Sequence, residues 1–465
     1  MTRTLRGRRV LVAGAGVSGR SAAEALLDAG AEVTATDASE ERLAALEAVE
    51  AGGGRLLAGL LEPPAGTELV VTSPGWKPTA PLLAAARAAG IEIIGEVELA
   101  WWLDRERDRP ADWLAVTGTN GKTTTVTMLE SVLRAADLDV VACGNVGLPV
   151  VDAVRAGHRV LAVELSSFQL HWSNSLAAHA GVVLNLADDH LDWHGTLDAY
   201  GAAKAKVHAG NVVAVHNADD EWSTRLATGA GRPASFTLGE PRPGQLGIIG
   251  GNLVDRAFAD EADGEVLAAV ADVHPGGPHN LANALAAAAL ARSYGVPADA
   301  VRRGLRAFQP GAHRSAVIAD TGGTTWIDDS KATNPHAADA ALRAHESVVW
   351  IAGGLLKGAD VDELVARNAH RLAAAVLIGR DRAAFAEALA RHAPEVPVEQ
   401  IAAGDDSGMS QAVAKAAEHA APGTAVLLAP AAASMDMFTD YAHRGRAFAD
   451  AVRDLPAAPT SATGG

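Results

Sequence analysis

Short apolar runs alternate with Ala- and Leu-rich stretches along most of the chain, and this alternation limits the possible folds more than any other feature. In the first hundred residues the runs RRVLVAGAG, AEVTATD, ELVVTSPG and IEIIG are separated by SAAEALLDAG and PLLAAARAAG. The apolar runs suit buried parallel strands, and the stretches between them suit crossover helices. The pattern therefore predicts an α/β fold built on parallel sheets.

The length of the chain indicates more than one domain. A chain of 465 residues exceeds one ordinary core, and domains of roughly 100–200 residues suggest about three. The polar stretch LDRERDRPAD, residues 103–112, is typical of a linker, and the pair Pro310–Gly311 follows the last helix of a second α/β segment. We expect domains over residues 1–103, 104–310 and 311–465, with a disordered tail over residues 455–465.

Composition excludes several classes of protein. No apolar run reaches the roughly 18 residues that a membrane span requires. A net charge of −17 argues against non-specific nucleic-acid binding, which needs a basic surface. Cys143 is the single cysteine, so an intrachain disulfide is impossible and a reducing cytoplasm is expected.

The glycine-rich segment GAGVSG, residues 14–19, lies between a predicted strand and a predicted helix, and Asp37 ends the next strand. Backbone amides and a helix N-terminus at such a turn face an anion. From these residues alone, a nicotinamide dinucleotide, another nucleotide and a purely structural turn all remain open. The segment TSPGW, residues 72–76, is by itself a rigid turn rather than a site.

The segment GTNGKT is more specific. Two residues separate Gly118 from the Gly121–Lys122 pair, a shorter spacing than in the usual nucleotide loop. A predicted strand precedes it and a predicted helix follows, so backbone amides and the helix dipole point at one place. Lys122 would neutralise phosphate, and the hydroxyl of Thr123 suits Mg²⁺. The segment predicts a variant phosphate loop.

Acidic residues follow two later strands. Glu164 ends the strand of VELSSFQL, where a metal-binding acid usually faces a phosphate loop, and next to this loop a Mg²⁺ role is the better interpretation. The segment NLADDHLDWHG could bind zinc, although the oxygen-rich setting favours magnesium. Its candidates are Asp188, Asp189, His190, Asp192 and His194. Lys204 and Lys206 follow on a predicted helix, where a lysine is by default a surface charge.

The last third of the chain places polar side chains after predicted strands, where open α/β sheets hold ligands. Each has an ordinary loop or surface interpretation, so the prediction of a site depends on their convergence. The candidates are His313, Arg314, Asp328, Asp329, Lys331, Thr333, Lys357 and Ser434.

Taken in order, the motifs GAGVSG, SPG, GTNGKTTT, GNVGLP, ELSSFQL, DDH, HNLANALAA, HR, DDSKATN and GGLLKG cover essentially the whole chain. This order resembles the Mur ligases. The loop alone would equally fit folylpolyglutamate synthetases, whereas DDSKATN is typical of the D-glutamate-adding Mur ligases. The resemblance implies a Rossmann-like N-terminal domain, a central ATPase domain with a variant phosphate loop, and a Rossmann-like C-terminal domain.

The resemblance also implies an activity. ATP would phosphorylate the alanyl carboxylate of UDP-MurNAc-L-Ala, and the amine of D-glutamate would attack the acyl phosphate to form an amide. This is a step of cytoplasmic peptidoglycan precursor synthesis. The implied cofactors are ATP and two Mg²⁺ ions, and the implied partners are small-molecule substrates only. We expect a monomer that inserts into no membrane.

The resemblance assigns roles residue by residue. The expected catalytic residues are Lys122, Glu164, His190 and Lys204. The expected metal ligands are Thr123, Glu164, His190 and a carbamylated Lys204. The expected ATP contacts are Gly118, Thr119, Asn120, Gly121, Lys122, Thr123, Thr124, Asn145, Asn283, Arg314 and Asp329. The UDP-substrate contacts are Gly14, Val17, Ser18, Gly19, Thr72, Ser73, Gly75, Asn145, Ser166 and Gln169. The D-glutamate contacts are Lys331, Thr333, Lys357, Ser434 and Tyr441.

Two positions depart from the family pattern, and three other functions stay open. Ala429 stands where serine is common, and Tyr441 replaces a frequent phenylalanine.

A dehydrogenase would use the first glycine turn but leave GTNGKT unexplained. A non-catalytic nucleotide-binding protein would leave the coincidence of Glu164, His190 and Lys204 unexplained. Another amide ligase of the family, acting on a different amino acid or on folate, is the nearest alternative.

Overall fold

The structure is a computed structural model that describes residues 4–227, 231–261 and 263–455. It forms two compact units, made of the described residues of Met1–His274 with Asn280–Phe308 and of Pro275–His279 with Gln309–Gly465. The predicted α/β fold class is confirmed. The boundary predicted between residues 103 and 104 falls inside the first unit and stays a prediction, as do the other domain bounds. Residues 456–465 of the predicted tail lie outside the described residues.

The first sheet comes from the N-terminal segment. Its strands are β1 Arg9–Ala13, β2 Glu32–Thr36, β3 Arg55–Leu56, β4 Leu69–Thr72 and β5 Glu92–Gly95, with helices α1 Val17–Asp28, α2 Glu40–Ala44, α3 Glu47–Ala51, α4 Pro81–Ala88 and α5 Glu96–Arg105. The strands are parallel in the order β3-β2-β1-β4-β5. The strand order reverses between β1 and β4, and such a switch point is where open α/β sheets bind ligands. The GAGVSG turn follows β1 at this point.

The second sheet also belongs to the first unit. Its strands are β6 Asp112–Thr117, β7 Val140–Gly144, β8 Val160–Glu164, β9 Ala180–Val183, β10 Val213–Asn217, β11 Arg232–Phe236, β12 Gln245–Ile249, β13 Asn252–Asp255 and β14 Glu265–Ala269. Its helices are α6 Lys122–Ala135, α7 Val150–Ala156, α8 Ser167–His171, α9 Leu191–His194, α10 Leu197–Ala205, α11 Glu221–Leu226, α12 Pro278–Ser293 and α13 Ala298–Ala307. The order is β14-β13-β12-β11-β10-β9-β6-β8-β7, antiparallel only from β12 to β14 within the described residues. Because β6 lies between β8 and β9, the segments that follow these three strands meet at one edge.

The third sheet lies in the second unit. Its strands are β15 Ala316–Thr321, β16 Thr324–Asp328, β17 Val348–Gly353, β18 Leu372–Ile378, β19 Val398–Gln400 and β20 Ala425–Leu428, with helices α14 Pro335–Leu342, α15 Asp362–Asn368, α16 Arg382–His392, α17 Gly408–His419 and α18 Tyr441–Arg453. The order is β15-β16-β20-β17-β18-β19, and β15 pairs antiparallel with β16 while the other pairs are parallel. Short 3₁₀ helices cover Lys206–His208, Val270–Asp272 and Ala369–Arg371.

The first two sheets share a hydrophobic core. One cluster of buried side chains includes Val12 and Ile94 of the first sheet together with Leu161 of the second. The predicted linker is shorter than expected, because α5 continues to Arg105 and β6 begins at Asp112. The connection is ordered rather than loose, since the buried carboxylate of Asp104 accepts backbone and side-chain N–H groups across it. None of the helices described is long and apolar enough to cross a membrane.

Candidate active site

Residues 118–121 connect β6 to α6 and are held by the segment that follows β9. Asn185 Oδ1 accepts the N–H of Asn120 at 2.9 Å, and Asn185 Nδ2 donates to the carbonyl of Asn120 at 3.2 Å. Gly121 has a φ of 84°, and a side chain there would collide with Asn283 Oδ1. Glycine is therefore required by both the backbone conformation and the close approach of α12. The first turn of α6 directs its backbone N–H groups at this loop, as a helix N-terminus that binds phosphate does.

Lys122 begins α6 and folds back over the loop. Its Nζ donates to the carbonyls of Gly118 and Thr119, each at 2.8 Å. The side chain is half-buried. A phosphate oxygen placed at the helix N-terminus would therefore meet a cation that the protein already orients.

Glu164 lies opposite this loop at the end of β8 and is 2% exposed. Its Oε2 accepts the hydroxyl of Thr123 at 2.6 Å, and its Oε1 accepts Asn145 Nδ2 at 2.9 Å. A carboxylate and a hydroxyl beside a phosphate cradle are oxygen ligands of the kind that Mg²⁺ prefers. The described residues hold no group of three or more His, Cys, Asp and Glu suited to a metal. Phosphate oxygens and water would complete the coordination, as is usual for Mg²⁺.

Lys204 is 1% exposed, so the default interpretation of a surface lysine is wrong for this residue. Its Nζ donates to the carbonyl of Gly118 at 2.8 Å and lies 4.5 Å from the ring centroid of Tyr200. Burial, together with the charge of Lys122, lowers the pKa of Lys204 well below its ordinary value of 10.5. Burial therefore favours a neutral, nucleophilic amine at this position.

Lys206 has a different environment two residues later. Its Nζ donates to the carbonyls of His171 at 2.7 Å and Ser173 at 2.9 Å, and the side chain is half-buried. The surface interpretation is therefore wrong for Lys206 as well. As expected for residues two apart on a helix, the two lysines do not share a site.

The acidic segment after β9 forms a loop that leads into α9. His190 has a φ of 54°, in the left-handed region, and its N–H donates to Asp189 Oδ1 at 2.9 Å. Partial burial of the ring, with the charges of Lys122 and Lys204, lowers the pKa of His190 despite the opposing effect of Asp189. His190 therefore lies within electrostatic reach of both lysines. Asp188 and Asp192 are exposed.

The predicted ATP contacts Thr124 and Asn283 are buried next to the phosphate loop. Thr124 is 9% exposed in the first turn of α6, and Asn283 is 6% exposed in α12. Asn283 Oδ1 accepts the hydroxyl of Thr125 at 3.2 Å. Asn283 therefore supports the start of α6, and direct ATP contact stays a prediction for both residues.

The predicted substrate residues Ser166 and Gln169 form the N-terminal cap of α8. Ser166 Oγ accepts the N–H of Gln169 at 3.2 Å, and Gln169 Oε1 accepts the N–H of Ser166 at 2.9 Å. This reciprocal pair is a capping box, which fixes the start of the helix just after Glu164. Their contact with substrate stays a prediction.

In the N-terminal glycine turn, the backbone packs too closely for side chains at Gly14 and Gly19. A Cβ on Gly19, in the first turn of α1, would collide with the carbonyl of Gly14, so only glycine fits at this position. The Oγ of Ser73 is buried beside Gly14, and no hydrogen-bond partner for it is found among the described residues. Val17 and Gly75 are exposed, Ser18 is half-buried and Thr72 is buried.

Asp37 belongs to this turn in a way that sequence reasoning did not assign. One carboxylate oxygen accepts the N–H of Ala15 at 2.9 Å, and the other accepts the N–H of Ser39 at 2.9 Å. In nicotinamide-binding turns an acidic residue at this place binds the ribose. Here both oxygens already stabilise the turn itself, which weakens the nicotinamide interpretation.

In the second unit, several predicted ligand residues gather at the carboxyl ends of adjacent strands. Lys331 and Thr333 follow β16, Ser434 follows β20, and Lys357 follows β17. Backbone hydrogen bonds join these loops, from the N–H of residue 431 to the carbonyl of residue 332 at 2.9 Å and from that of residue 355 to residue 433 at 2.8 Å. The convergence expected of these loops therefore exists within this unit. Lys331 Nζ lies 3.8 Å from the ring centroid of Tyr441, at the start of α18.

Arg314 and Asp329 lie near the same strand end. Asp329 Oδ1 accepts the N–H of Ser315 at 3.2 Å, and burial raises the pKa of Asp329 to about 7. His313 Nδ1 lies 2.6 Å from Asp328 Oδ2, so His313 is oriented by the acid that precedes Asp329. Arg314, which follows His313 in the chain, is half-buried. Their contact with ATP stays a prediction.

Sequence reasoning missed two residues that shape the site, Asn185 and Tyr200, and named a third, His194, only as one of several possible metal ligands. Asn185 clamps the phosphate loop, and its position just after β9 was the available signal. Tyr200 is 1% exposed and its OH lies 3.3 Å from Thr119 Oγ1, a contact between distant segments that no motif predicts. His194 Nε2 lies 2.9 Å from Ser167 Oγ. Burial, with His171 nearby, lowers the pKa of His194 to about 4, so the ring is neutral at neutral pH.

Known domain families match successive parts of the chain. The Mur ligase MurD-like N-terminal domain matches residues 8–95, the Mur ligase middle domain residues 116–291, and the Mur ligase glutamate ligase domain residues 313–432. The chain belongs to the Mur ligase family.

Relatives that align over nearly the whole chain indicate which member of the family it is most similar to. The UDP-N-acetylmuramoylalanine–D-glutamate ligase of Streptomyces coelicolor is 55% identical over 471 residues, covering 97% of this chain and 99% of the relative. The enzyme of the same name from Rhodococcus jostii is 52% identical over 493 residues, covering 99% and 98%. Among solved structures, the UDP-N-acetylmuramate-alanine ligase of Thermotoga maritima has a TM-score of 0.58 at 18% identity, covering 96% of this chain and 99% of that chain. This last likeness concerns the fold.

Proposed function

We propose that this protein is a cytoplasmic, ATP-dependent amide ligase that adds D-glutamate to UDP-N-acetylmuramoyl-L-alanine. The observation that carries the proposal is the arrangement around Gly118, where Lys122 and the buried Lys204 both donate to one carbonyl beside the Thr123–Glu164 pair. That arrangement combines a phosphate cradle, two basic groups and oxygen ligands in one place. The choice of D-glutamate is supported by the full-length relatives, which are ligases for this amino acid.

The chemistry explains why phosphate is needed at all. A carboxylate is a poor acyl donor, because an oxide ion would have to leave it. Transfer of the γ-phosphoryl group forms a bond from carboxylate oxygen to phosphorus and releases ADP. The amine of D-glutamate then attacks the acyl carbon, the tetrahedral intermediate collapses, and phosphate leaves as a proton is lost from nitrogen. The products are an amide, ADP and phosphate.

The residues around the loop act mainly through charge and position. Lys122 and the α6 amides hold the terminal phosphates where negative charge develops. Glu164 and Thr123 would hold Mg²⁺, which supplies electrostatic shielding between the phosphoryl group and the carboxylate that attacks it. Asn145 fixes the Glu164 carboxylate from the other side. This division of roles is the usual one for phosphoryl transfer.

A carbamate on Lys204 would complete a second magnesium site with His190. The neutral amine of Lys204 attacks carbon dioxide, a carbon–nitrogen bond forms, and the proton lost from nitrogen passes to solvent. A cation thereby becomes an anionic oxygen ligand of the kind that Mg²⁺ prefers. The lowered pKa and complete burial of Lys204 support this step, because only the neutral amine reacts.

The diphosphate of the UDP substrate and the carboxylates of D-glutamate are assigned to other parts of the chain. The GAGVSG turn offers amides for the diphosphate of the UDP substrate, and Ser73 Oγ adds a donor beside it. In the second unit, the ammonium groups of Lys331 and Lys357 and the hydroxyls of Thr333 and Ser434 suit the two carboxylates of D-glutamate.

The test is release of ADP and phosphate by the full chain with ATP, Mg²⁺ and UDP-N-acetylmuramoyl-L-alanine. We expect turnover with D-glutamate and little with L-glutamate, L-alanine or diaminopimelate, because a site shaped for one stereoisomer misplaces the attacking amine of the other. Equal or faster turnover with any of these three would refute the substrate assignment. Product mass spectrometry distinguishes ligation from uncoupled ATP hydrolysis.

A second measurement separates the ligase from the dehydrogenase alternative. UDP, NAD(H) and NADP(H) are titrated against the full chain and the thermal unfolding midpoint is recorded. Because the glycine turn suits a diphosphate while both oxygens of Asp37 are engaged, we expect stabilisation by UDP and none by the nicotinamide cofactors. The reverse result would restore the dehydrogenase interpretation.

A further inference from the structure

A cluster of rings connects the loop that carries His190 to helices α8 and α10. We call it the aromatic cluster, and its members are Phe168, His190, Trp193, His194 and Tyr200. The ring centroids of Phe168 and His190 are 4.7 Å apart, and those of His194 and Tyr200 are 5.2 Å apart. Tyr200 in turn lies against Nζ of Lys204, which is 4.5 Å from the ring centroid. The cluster therefore joins groups on three helices around the proposed reaction centre.

His194 is attached on both sides of this cluster. Its imidazole lies nearly parallel to the ring of Phe168, with an interplanar angle of 3° and centroids 5.7 Å apart. Its Nε2 is 2.9 Å from the hydroxyl of Ser167, a residue 2% exposed at the start of α8. Its backbone N–H donates to the carbonyl of His190 at 3.0 Å. The side chain is thus bound to α8, while the main chain is bound to His190.

The position of His190 depends on such support. Its φ of 54° places a non-glycine residue in the left-handed region, which costs on the order of 1–3 kcal/mol unless the surroundings enforce it. The following helix, α9, is only 4 residues long and too short to be stable alone. The side chain of His190 is 43% exposed, so core packing does not fix it. Contacts from outside the loop must hold this conformation.

We infer that His194 is a positioning residue for the reaction centre, holding the His190 loop in place through its hydrogen bond to Ser167. The inference rests on the proposed function in one respect, the assignment of His190 to a magnesium site. Beyond that function, we infer that a hydrogen bond, rather than the bulk of an aromatic ring, fixes the conformation of the His190 loop. His194 itself contacts other side chains rather than the reacting atoms.

Four variants separate these contributions. His194→Phe keeps a ring against Phe168 but removes the hydrogen bond, and Ser167→Ala removes the same bond from the other side. His194→Gln keeps a terminal amide that can reach the Ser167 hydroxyl. His171→Phe is the matched control, because His171 packs against Trp193 at a centroid distance of 4.9 Å. The double variant His194→Phe/Ser167→Ala tests whether the two changes act through one bond.

The first readout is the Mg²⁺ concentration that gives half-maximal turnover. We expect it to rise about 10- to 100-fold in His194→Phe and in Ser167→Ala, the usual range for losing a group that orients a metal ligand. His194→Gln and His171→Phe should stay close to the wild type. The double variant should be no worse than His194→Phe alone, because changes that remove one interaction are not additive.

The second readout needs neither metal nor activity. Chymotrypsin can cleave after Leu191 when the loop opens, and mass spectrometry reports the rate of cleavage at this bond alone, because His194→Phe adds a new chymotrypsin site at position 194. We expect faster cleavage in His194→Phe and Ser167→Ala than in the wild type, His194→Gln or His171→Phe. Thermal unfolding midpoints measured alongside identify any variant that is unstable as a whole.

Two results would overturn the inference. One is a His194→Phe variant with wild-type magnesium requirement and wild-type cleavage. The other is a His194→Gln variant as impaired as His194→Phe, since the hydrogen bond would then not be the cause. If the wild type fails to ligate D-glutamate, the proposed function fails instead, and the cleavage rates still decide whether His194 holds the loop.

Discussion

Lys204 and Lys206 lie two residues apart on the same stretch of chain and have opposite surroundings. Lys204 is buried against Gly118 and Tyr200. Lys206 turns to the carbonyls of His171 and Ser173 and keeps part of its side chain in solvent. The burial of Lys204 supports the proposed chemistry, whereas Lys206 joins the end of α10 to the end of α8 and the segment after it.

We predict that Lys204→Ala loses most activity and that added short carboxylic acids restore part of it. A small carboxylate can occupy the space of the missing carbamate and supply its metal-binding oxygens. Lys206→Ala is the matched control, with activity retained and a loss of about 1 kcal/mol in the free energy of unfolding from its lost hydrogen bonds. Steady-state assays with and without formate or acetate check both variants. Full activity of Lys204→Ala without added acid would contradict the carbamate proposal.

Lys122→Ala should lower turnover by about 10²- to 10³-fold or more while the fold is kept. The ammonium group contributes charge where the phosphoryl group is transferred, and removing one such group from a preorganised site has this order of effect. Lys415→Ala, an exposed lysine paired with Glu418, serves as the control and should be unchanged. Circular dichroism with the ADP-release assay measures fold and activity together. A folded Lys122→Ala protein with most of its activity would refute the phosphate-loop assignment.

At the scale of elements, the junction between α5 and β6 depends on one carboxylate. Asp104 is fully buried and accepts the N–H of Ala111 at 3.0 Å and Trp113 Nε1 at 3.0 Å. The guanidinium groups of Arg105 and Arg107 balance its charge at 2.5 and 3.0 Å. A stretch whose composition is typical of a flexible linker is thus ordered by its own acidic and basic residues.

Asp104→Ala should therefore lower the free energy of unfolding by about 3–5 kcal/mol, the range for removing one partner from a buried ionic network. The nearby Asp108 is exposed, and Asp108→Ala should change stability by less than about 0.5 kcal/mol. Denaturant titration of the three proteins measures the difference. An Asp104→Ala protein as stable as Asp108→Ala would mean that the network contributes little to the junction.

Glu96 joins α5 to α7 and titrates at an unusual pH. Its Oε1 accepts the N–H of Val151 at 2.8 Å, and burial raises its pKa from 4.5 to about 7. The folded state therefore binds a proton more tightly than the unfolded state does. Stability from this group is fully present below pH 4.5 and is lost as the pH rises towards 7, by at most about 1.4 kcal/mol per pH unit.

Glu96→Gln removes this titration but keeps an acceptor for the N–H of Val151. We expect the difference in unfolding free energy between variant and wild type to grow in favour of the variant from about pH 5 to about pH 8. The exposed Glu47→Gln is the matched control. Denaturant titrations across this range provide the test, and a pH-independent difference for Glu96→Gln would contradict the assigned pKa.

For the whole molecule, we predict a monomer. The net charge of −17 opposes self-association. The exposed large apolar side chains among the described residues include Val17, Leu61, Val317 and Met435, which lie far apart along the sequence. Light scattering at low and moderate salt should give a mass near 47.5 kDa. A mass near twice this value at both salt concentrations would contradict the prediction.

Local features account for what the sequence alone determined. The α/β class follows from the spacing of apolar runs, and the phosphate loop follows from glycines and a lysine between a strand and a helix. Glu164, Lys122 and Thr123 were predictable because their motif fixes their place on the chain, and the strand order then brings them together. Such signals survive without tertiary information, because each one extends over a few neighbouring residues.

Only the tertiary structure decided which ordinary residues became special. Lys204 becomes a buried amine because it meets Gly118, 86 residues earlier in the chain. Asn185 becomes a clamp for the phosphate loop 65 residues away, and His194 reaches Ser167 across 27 residues. The same holds for the shared core of the first two sheets, which a count of predicted domains treats as separate. The burial of a side chain and its hydrogen-bond partners depend on which distant segments the fold brings together. The spacing of residues along the sequence does not predict those contacts.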